Sequence, residues 1–125
     1  MRKIEERIIE AINNCQYLHT ERDRVYPQAD CVEVWLHSTQ IASVYPSRVV
    51  IRTGGWRTAT TKSRLNAILW TYCATGIYQK DFTWYLNGRV DARYAGKAPV
   101  YVEDGMSIPR KNKSWYRDKL IVSNL

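Results

Sequence analysis

A pair of glycines at residues 54–55 separates a segment with the pattern of a β-strand from one with the pattern of a helix. Glycine adopts backbone conformations that other residues avoid, so this pair is expected to end the strand. Beyond it, apolar residues recur at i, i+3, i+4 and i+7 between Leu65 and Tyr72, which is the spacing of one helical face. The chain must therefore change from strand to helix within residues 53–66, TGGWRTATTKSRLN.

Strand-like segments flank this helix on both sides. Those before it are residues 31–36, 39–45 and 48–53, and those after it are residues 76–80, 82–86 and a less certain segment within 99–108. The short connections favour an antiparallel meander. The sequence thus predicts an α+β fold, with a curved antiparallel sheet of about five short strands packed on one central helix.

The length of 125 residues fits a single domain. Within it we predict an N-terminal amphipathic helix at 1–14, a linker at 17–30, an α+β core at 31–108 and a basic aromatic tail at 109–125. The isoleucine-rich face of the helix packs inside the monomer or against a second subunit. The charged run at 21–24 is expected to be solvated, and residues 89–99 to form a mobile excursion.

Composition restricts the class of protein. No apolar run approaches the length of about 18 residues that crosses a bilayer, and the N-terminus lacks the uninterrupted apolar segment of a signal peptide. We therefore expect a soluble, unexported protein with no membrane partner. The three cysteines are far apart and outside any C-x-x-C motif, which favours reduced thiols over disulfides or zinc.

The start of the predicted helix is unusually rich in cations. Arg57, Lys62 and Arg64 lie in or beside its first turn, where the helix dipole disfavours positive charge. A bound anion would reverse that effect, because the free N–H groups of a helix start attract anions. The alternative is that the glycines only form a turn, Trp56 is part of the core and the cations face water.

On the first interpretation, the chain binds a phosphorylated ligand. Arg57, Lys62, Arg64 and Lys80 would hold phosphate, and Trp56, Tyr78 or Trp84 would stack on a base. Thr58, Thr60 and Thr61 would offer hydroxyls, and one of them would cap the helix. The predicted ligand-binding residues are Gly54, Gly55, Trp56, Arg57, Thr58, Thr60, Thr61, Lys62, Arg64, Tyr78, Lys80 and Trp84.

Catalytic motifs are hard to find in the sequence. The segment ends in Lys62-Ser63 but lacks the second glycine of a nucleotide-hydrolysing P-loop, and no parallel βαβ framework surrounds it. His19 and His37 have no partner at the spacing of metal ligands. The acidic pair Glu103-Asp104 adjoins a glycine and is expected to serve a turn. We therefore predict no catalytic residue, no metal and no cofactor.

The motif at 53–66, followed by IYQKDFTWYL and EDGM, resembles a set of small bacteriophage proteins of uncharacterised function. The resemblance covers residues 41–108. It implies a phage origin and the cytoplasm of an infected bacterium, and it implies no particular activity. The N-terminal helix, residues 89–99 and the basic tail depart from the shared pattern.

Three functions follow as expectations. The first is a non-enzymatic phage accessory protein that binds a nucleotide signal in anti-defence, or single-stranded nucleic acid, supported by a net charge of +7. The second is a protein–protein module in which the isoleucine stripe and Trp115-Tyr116 dock on a host defence protein or another copy. The third is a small nuclease or nucleotide hydrolase. We also expect a homo-oligomer.

Overall fold

The computed structural model describes residues 1–87 and 100–111, which contain two helices and nine strands. In chain order these elements are α1 (Lys3–Asn13), β1 (Leu18–His19), β2 (Asp23–Pro27), β3 (Val32–Leu36), β4 (Thr39–Val44), β5 (Arg48–Ile51), α2 (Ala59–Tyr72), β6 (Gly76–Lys80), β7 (Thr83–Asn87), β8 (Val100–Tyr101) and β9 (Met106–Pro109). The predicted turn at 87–88, the excursion at 89–99 and nearly all of the tail lie outside the described residues.

The strands form two antiparallel sheets. One has six strands in the order β1-β2-β3-β4-β5-β9, and the other has three in the order β6-β7-β8. The predicted α+β class and the meander of β3, β4 and β5 are confirmed. The single sheet of five strands is replaced by two, because the hairpin after α2 pairs with itself and not with the meander. The last strand segment also divides at Gly105 (φ +86°), so that β8 joins β7 and β9 joins β5.

The linker predicted at 17–30 is wrong in its central part. Residues 18–19 and 23–27 are β1 and β2, and β2 pairs along its length with β3, with Val25 opposite Val34. The inward positions of β2 are Asp23 and Val25, and both are buried. A buried aspartate interrupts the apolar alternation by which a half-buried strand is normally detected.

The first helix packs inside the monomer, on α2 and β2. Ile8 and Ile12 of its apolar stripe are fully buried in a cluster with Leu65, Ile68 and residues of both sheets. This burial removes the stripe from the surfaces on which a host protein could dock. Neither helix in the described part of the chain is long and apolar enough to span a membrane.

The second helix begins as predicted, with Thr58 as its N-cap. The Thr58 hydroxyl accepts a hydrogen bond from the backbone N–H of Thr61 at 3.1 Å. The helix ends at Tyr72, and Ala74, two residues later, has a left-handed backbone (φ +54°). Gly76 opens β6 and leaves room for Trp70.

Candidate functional site

The glycine turn at 54–55 is held by a carboxylate of the chain itself. Asp104 accepts hydrogen bonds from the backbone N–H and the hydroxyl of Thr53, at 2.9 and 2.8 Å, and from the N–H of Gly54 at 2.8 Å. Gly54 has a φ of +62°, and a Cβ there would approach the Thr39 side chain to 2.8 Å. The anion bound by this turn is therefore internal.

The pKa of Asp104 is lowered in the folded protein. Burial acts to raise the pKa, but hydrogen bonds from Thr53 and Gly54 and the charge of Arg57 together outweigh it. A carboxyl whose folded pKa is depressed adds stability above its unfolded pKa of about 4, and that stability is lost as the pH falls through the folded pKa.

We expect Asp104→Asn to lower the free energy of unfolding by roughly 1 kcal/mol at pH 7, a discounted value because the carboxylate is partly exposed. The difference from the unmodified protein should shrink below about pH 4, where the wild-type carboxyl is itself neutralised. Urea unfolding of both proteins at pH 3 and at pH 7 measures the difference in their free energy of unfolding at each pH. Glu103→Gln, in the same turn, is the matched control and should change neither. A deficit that stays constant with pH would contradict the role of the Asp104 charge.

Arg57 is turned away from the helix start. Its Nη2 donates to the carbonyl oxygen of Val102 at 2.8 Å, and its guanidinium carbon lies 5.5 Å from the centre of the Trp84 ring. These contacts, together with the attraction to Asp104, engage part of the guanidinium of this exposed residue.

Arg64 is not a ligand-binding residue, and that prediction is wrong. Its side chain is only 1% exposed, with Nε 2.8 Å from the Asp23 carboxylate and Nη1 2.9 Å from the Glu5 carboxylate. Burial lowers the pKa of Arg64, but the bonds and charges of Asp23 and Glu5 outweigh this and raise it. The guanidinium thus stays charged within a buried network, and Glu5 and Asp23 lie inside the fold where the sequence indicated solvent.

Trp84 is likewise part of the core. It is 2% exposed, and its indole N–H donates to Gln79 at 3.2 Å. It cannot stack on a ligand base without leaving the core, so this part of the prediction is also wrong.

The remaining predicted residues include a threonine cluster that lines a pocket of about 450 Å³ at the start of α2. Five threonines line it, together with residues of the turn between β3 and β4 and with Trp56; the lining is Leu36, His37, Ser38, Thr39, Ile41, Thr53, Trp56, Thr58, Thr60 and Thr61. Trp56 is 66% exposed, so it is not the core residue of the alternative interpretation. The pocket surface is mainly apolar, and the hydroxyls of Thr53, Thr58 and Thr61 bond to other groups of the protein.

The first turn of α2 retains free hydrogen-bonding capacity beside this pocket. The Thr61 N–H is used by the cap and the Lys62 N–H by the Thr58 carbonyl. Within the described residues, the N–H groups of Ala59 and Thr60 have no acceptor, as expected for the opening positions of a helix. Lys62 lines a separate groove with Met1 and Trp70.

Tyr78 and Lys80 lie elsewhere, on the outer face of the three-stranded sheet. The predicted residues therefore divide among the glycine turn, the pocket, the core, the separate groove and this face. Sequence reasoning missed His37, Ser38 and Thr39 as pocket residues. The sequence signalled only a turn at 37–38, and its proximity to α2 depends on the meander.

In the described part of the chain, no three or more histidine, cysteine, aspartate or glutamate side chains are grouped as they would be to hold a metal ion. The three cysteines are thiols and not disulfides. Burial is the main cause that raises the pKa of Cys31 to about 11 and of Cys73 to about 12, so both thiols are protonated at neutral pH.

The fold and the pocket define a small α+β protein with two antiparallel sheets and a mainly apolar cavity at a helix N-terminus. The sequence profile of the Kyanoviridae Gp96 protein family matches residues 1–117, and the chain belongs to this family of bacteriophage proteins. No curated protein and no solved structure matches the chain. The phage origin implied by the sequence is confirmed at the level of the family.

Proposed function

We propose that the pocket at the start of α2 binds a small phosphorylated ligand, with a nucleotide as the best fit. The observation that carries the proposal is the placement of an exposed indole beside a cavity of about 450 Å³ at a helix N-terminus, a volume within the usual range of small-molecule sites. Trp56 offers a face on which a base can stack, while Thr58 and Thr60 can donate to phosphate oxygens.

The ligand is expected to carry few charges. Arg64 and Arg57 are engaged by groups of the protein, and Lys62 and Lys80 do not line the pocket. Phosphate would therefore be held mainly by hydroxyls, by unpaired N–H groups and by the positive end of the helix dipole. Such a site favours one phosphate group over a long polyphosphate.

In this proposal the protein is a non-enzymatic accessory protein in the cytoplasm of an infected bacterium. Membership of a phage protein family supports that setting. A phage protein that retains a nucleotide without converting it would lower its free concentration in the host, which is how it would oppose a nucleotide-based defence signal. The expected homo-oligomer, and a docking role on a host defence protein, remain predictions.

Isothermal titration with nucleoside 5′-monophosphates, the matching nucleosides and inorganic phosphate tests the site. We expect the monophosphates to bind best, with Trp56→Ala weakening binding about 10-fold or more through loss of stacking. Thr60→Val should weaken the monophosphate more than the nucleoside. Trp70→Ala is the matched control, because Trp70 is also half-exposed but lines the other groove. Equal binding by wild type and Trp56→Ala, or no binding of any monophosphate, would refute the proposal.

A further inference from the structure

We infer that the outer face of the β6-β7-β8 sheet is a second site, and that it binds single-stranded nucleic acid. Tyr78, Tyr85 and Tyr101 occupy paired positions on the three strands and form one row across this face. The Tyr78 and Tyr85 rings stack with centroids 5.3 Å apart, and the Tyr85 and Tyr101 centroids are 5.2 Å apart. The two outer tyrosines are exposed, at 42% and 55%.

The row can be continued by a base at the edge of the sheet. Strand β6 is the last strand of the sheet, so Tyr85 lies on one side of the Tyr78 ring and no described strand lies on the other, while Asn66 of α2 bonds to the backbone of the preceding Ile77. Among the residues that the structure describes, no further ring stacks on that outer side. A nucleobase placed there would extend the stack, since every base presents a π-face of similar size.

Phe82, at the tip of the same hairpin, is the most exposed large apolar side chain of the described chain. It is 94% exposed and has a φ of +64°, next to Asp81 at +52°. Two successive positive φ values match the type I′ turn, which favours asparagine and glycine, and a bulky residue there is strained. Neither packing nor turn geometry accounts for a phenylalanine at this position, whereas contact with a ligand outside the fold does.

Charge favours a nucleic acid over an apolar partner. Lys80 lies two residues from Tyr78 on β6 and is exposed, and the whole chain carries a formal net charge of +7. Asp81, at the tip of the hairpin, is an exposed anion next to Lys80, and Gln79 and Thr83 are neutral, so the attraction to phosphate comes from the net charge of the whole chain. A row of stacked aromatic rings on a basic protein resembles the stacking platforms that hold unpaired bases.

This surface is separate from the pocket. None of the pocket-lining residues belongs to β6, β7 or β8, and Trp56 takes no part in the tyrosine row. Ligand binding in the pocket and strand binding on the sheet can therefore be tested independently.

Fluorescence anisotropy with a labelled 20-nucleotide oligothymidylate and oligouridylate tests the inference. We expect the single strands to bind at low salt, to weaken steeply as salt rises, and to bind at least about 10-fold better than a duplex of equal length. Tyr78→Ala and Phe82→Ala should each weaken binding about 10-fold. Tyr17→Ala, which removes an exposed tyrosine on the six-stranded sheet, and Trp56→Ala should leave binding unchanged.

Phe82→Gly separates a ligand-binding role from a structural one. Glycine accepts a positive φ without strain, so the variant should unfold at the same or a higher urea concentration while binding single strands about 10-fold more weakly. Absence of single-strand binding by the wild type at low salt, or wild-type affinity in both Tyr78→Ala and Phe82→Gly, would overturn the inference. Loss of strand binding in Trp56→Ala with normal binding in Phe82→Gly would assign the strand to the pocket instead.

Discussion

Replacing Arg64 with alanine is expected to destabilise the protein by about 3–5 kcal/mol, because the change leaves two carboxylates buried without their cation. Arg64 joins Glu5 of α1 and Asp23 of β2 to the centre of α2, so one side chain ties three elements together. Urea unfolding followed by circular dichroism measures the loss. A midpoint close to that of the wild type would contradict this view of the network.

Lys62→Ala is the matched control for this change, since Lys62 is a cation on the same helix that is only half-buried. We expect an effect within about 0.5 kcal/mol. A triple variant with Arg64→Met, Glu5→Leu and Asp23→Leu removes all the charges together and should be close to neutral in stability. If the triple variant is as unstable as Arg64→Ala, lost packing and not unpaired charge is the cause.

Trp84→Ala is expected to cost about 3–5 kcal/mol, the usual loss when a buried aromatic side chain is truncated in a core. The Trp84 ring packs with Ile77, Leu86 and Val102 in the central cluster, and Arg57 lies over it. The same measurement on Trp56→Ala should show a change within about 0.5 kcal/mol, because that indole is mostly exposed.

This pair of tryptophan variants separates the core role from the binding role. Trp84→Phe keeps most of the apolar volume, so it should retain the fold and full ligand affinity. If Trp84→Phe keeps the fold but loses ligand affinity, Trp84 is a binding-site residue.

The elements of the fold were largely predictable because their apolar residues are periodic or form short runs. The segment containing Leu65 repeats apolar residues at the helical period, the segments containing Ile41 and Val49 are short apolar runs, and all three lie in the core. The strand at 23–27 escaped detection because one of its two inward residues is Asp23. Its burial depends on Arg64, which is 41 residues away in sequence. Local patterns carry no information about such a pairing.

The sequence indicated which residues lie at the candidate site, but not which other side chains of the protein they bond to. The sequence singled out the glycine pair and Trp56 and offered Thr58 among three possible caps; in the structure these residues form a turn, an exposed indole and the N-cap. It could not indicate that Asp104, about 50 residues downstream, supplies an anion to the turn. The cations around the helix start are thus explained in part by carboxylates inside the fold.

The tyrosine row depends on strand register, which spacing alone does not define. Tyr78 and Tyr85 face each other only because the β6–β7 turn falls at 81–82. The sequence placed Phe82 in the following strand, where it would have packed with other residues. Its position in the turn leaves it exposed.

A crystal structure of the protein with a bound nucleoside 5′-monophosphate would test the proposed pocket. We expect the base to lie against Trp56 and the phosphate to contact Thr58 or Thr60 at the start of α2, with Arg64 still bound to Glu5 and Asp23. A phosphate held by Arg64 or Lys62, or a ligand found only on the tyrosine face with the pocket empty, would contradict it.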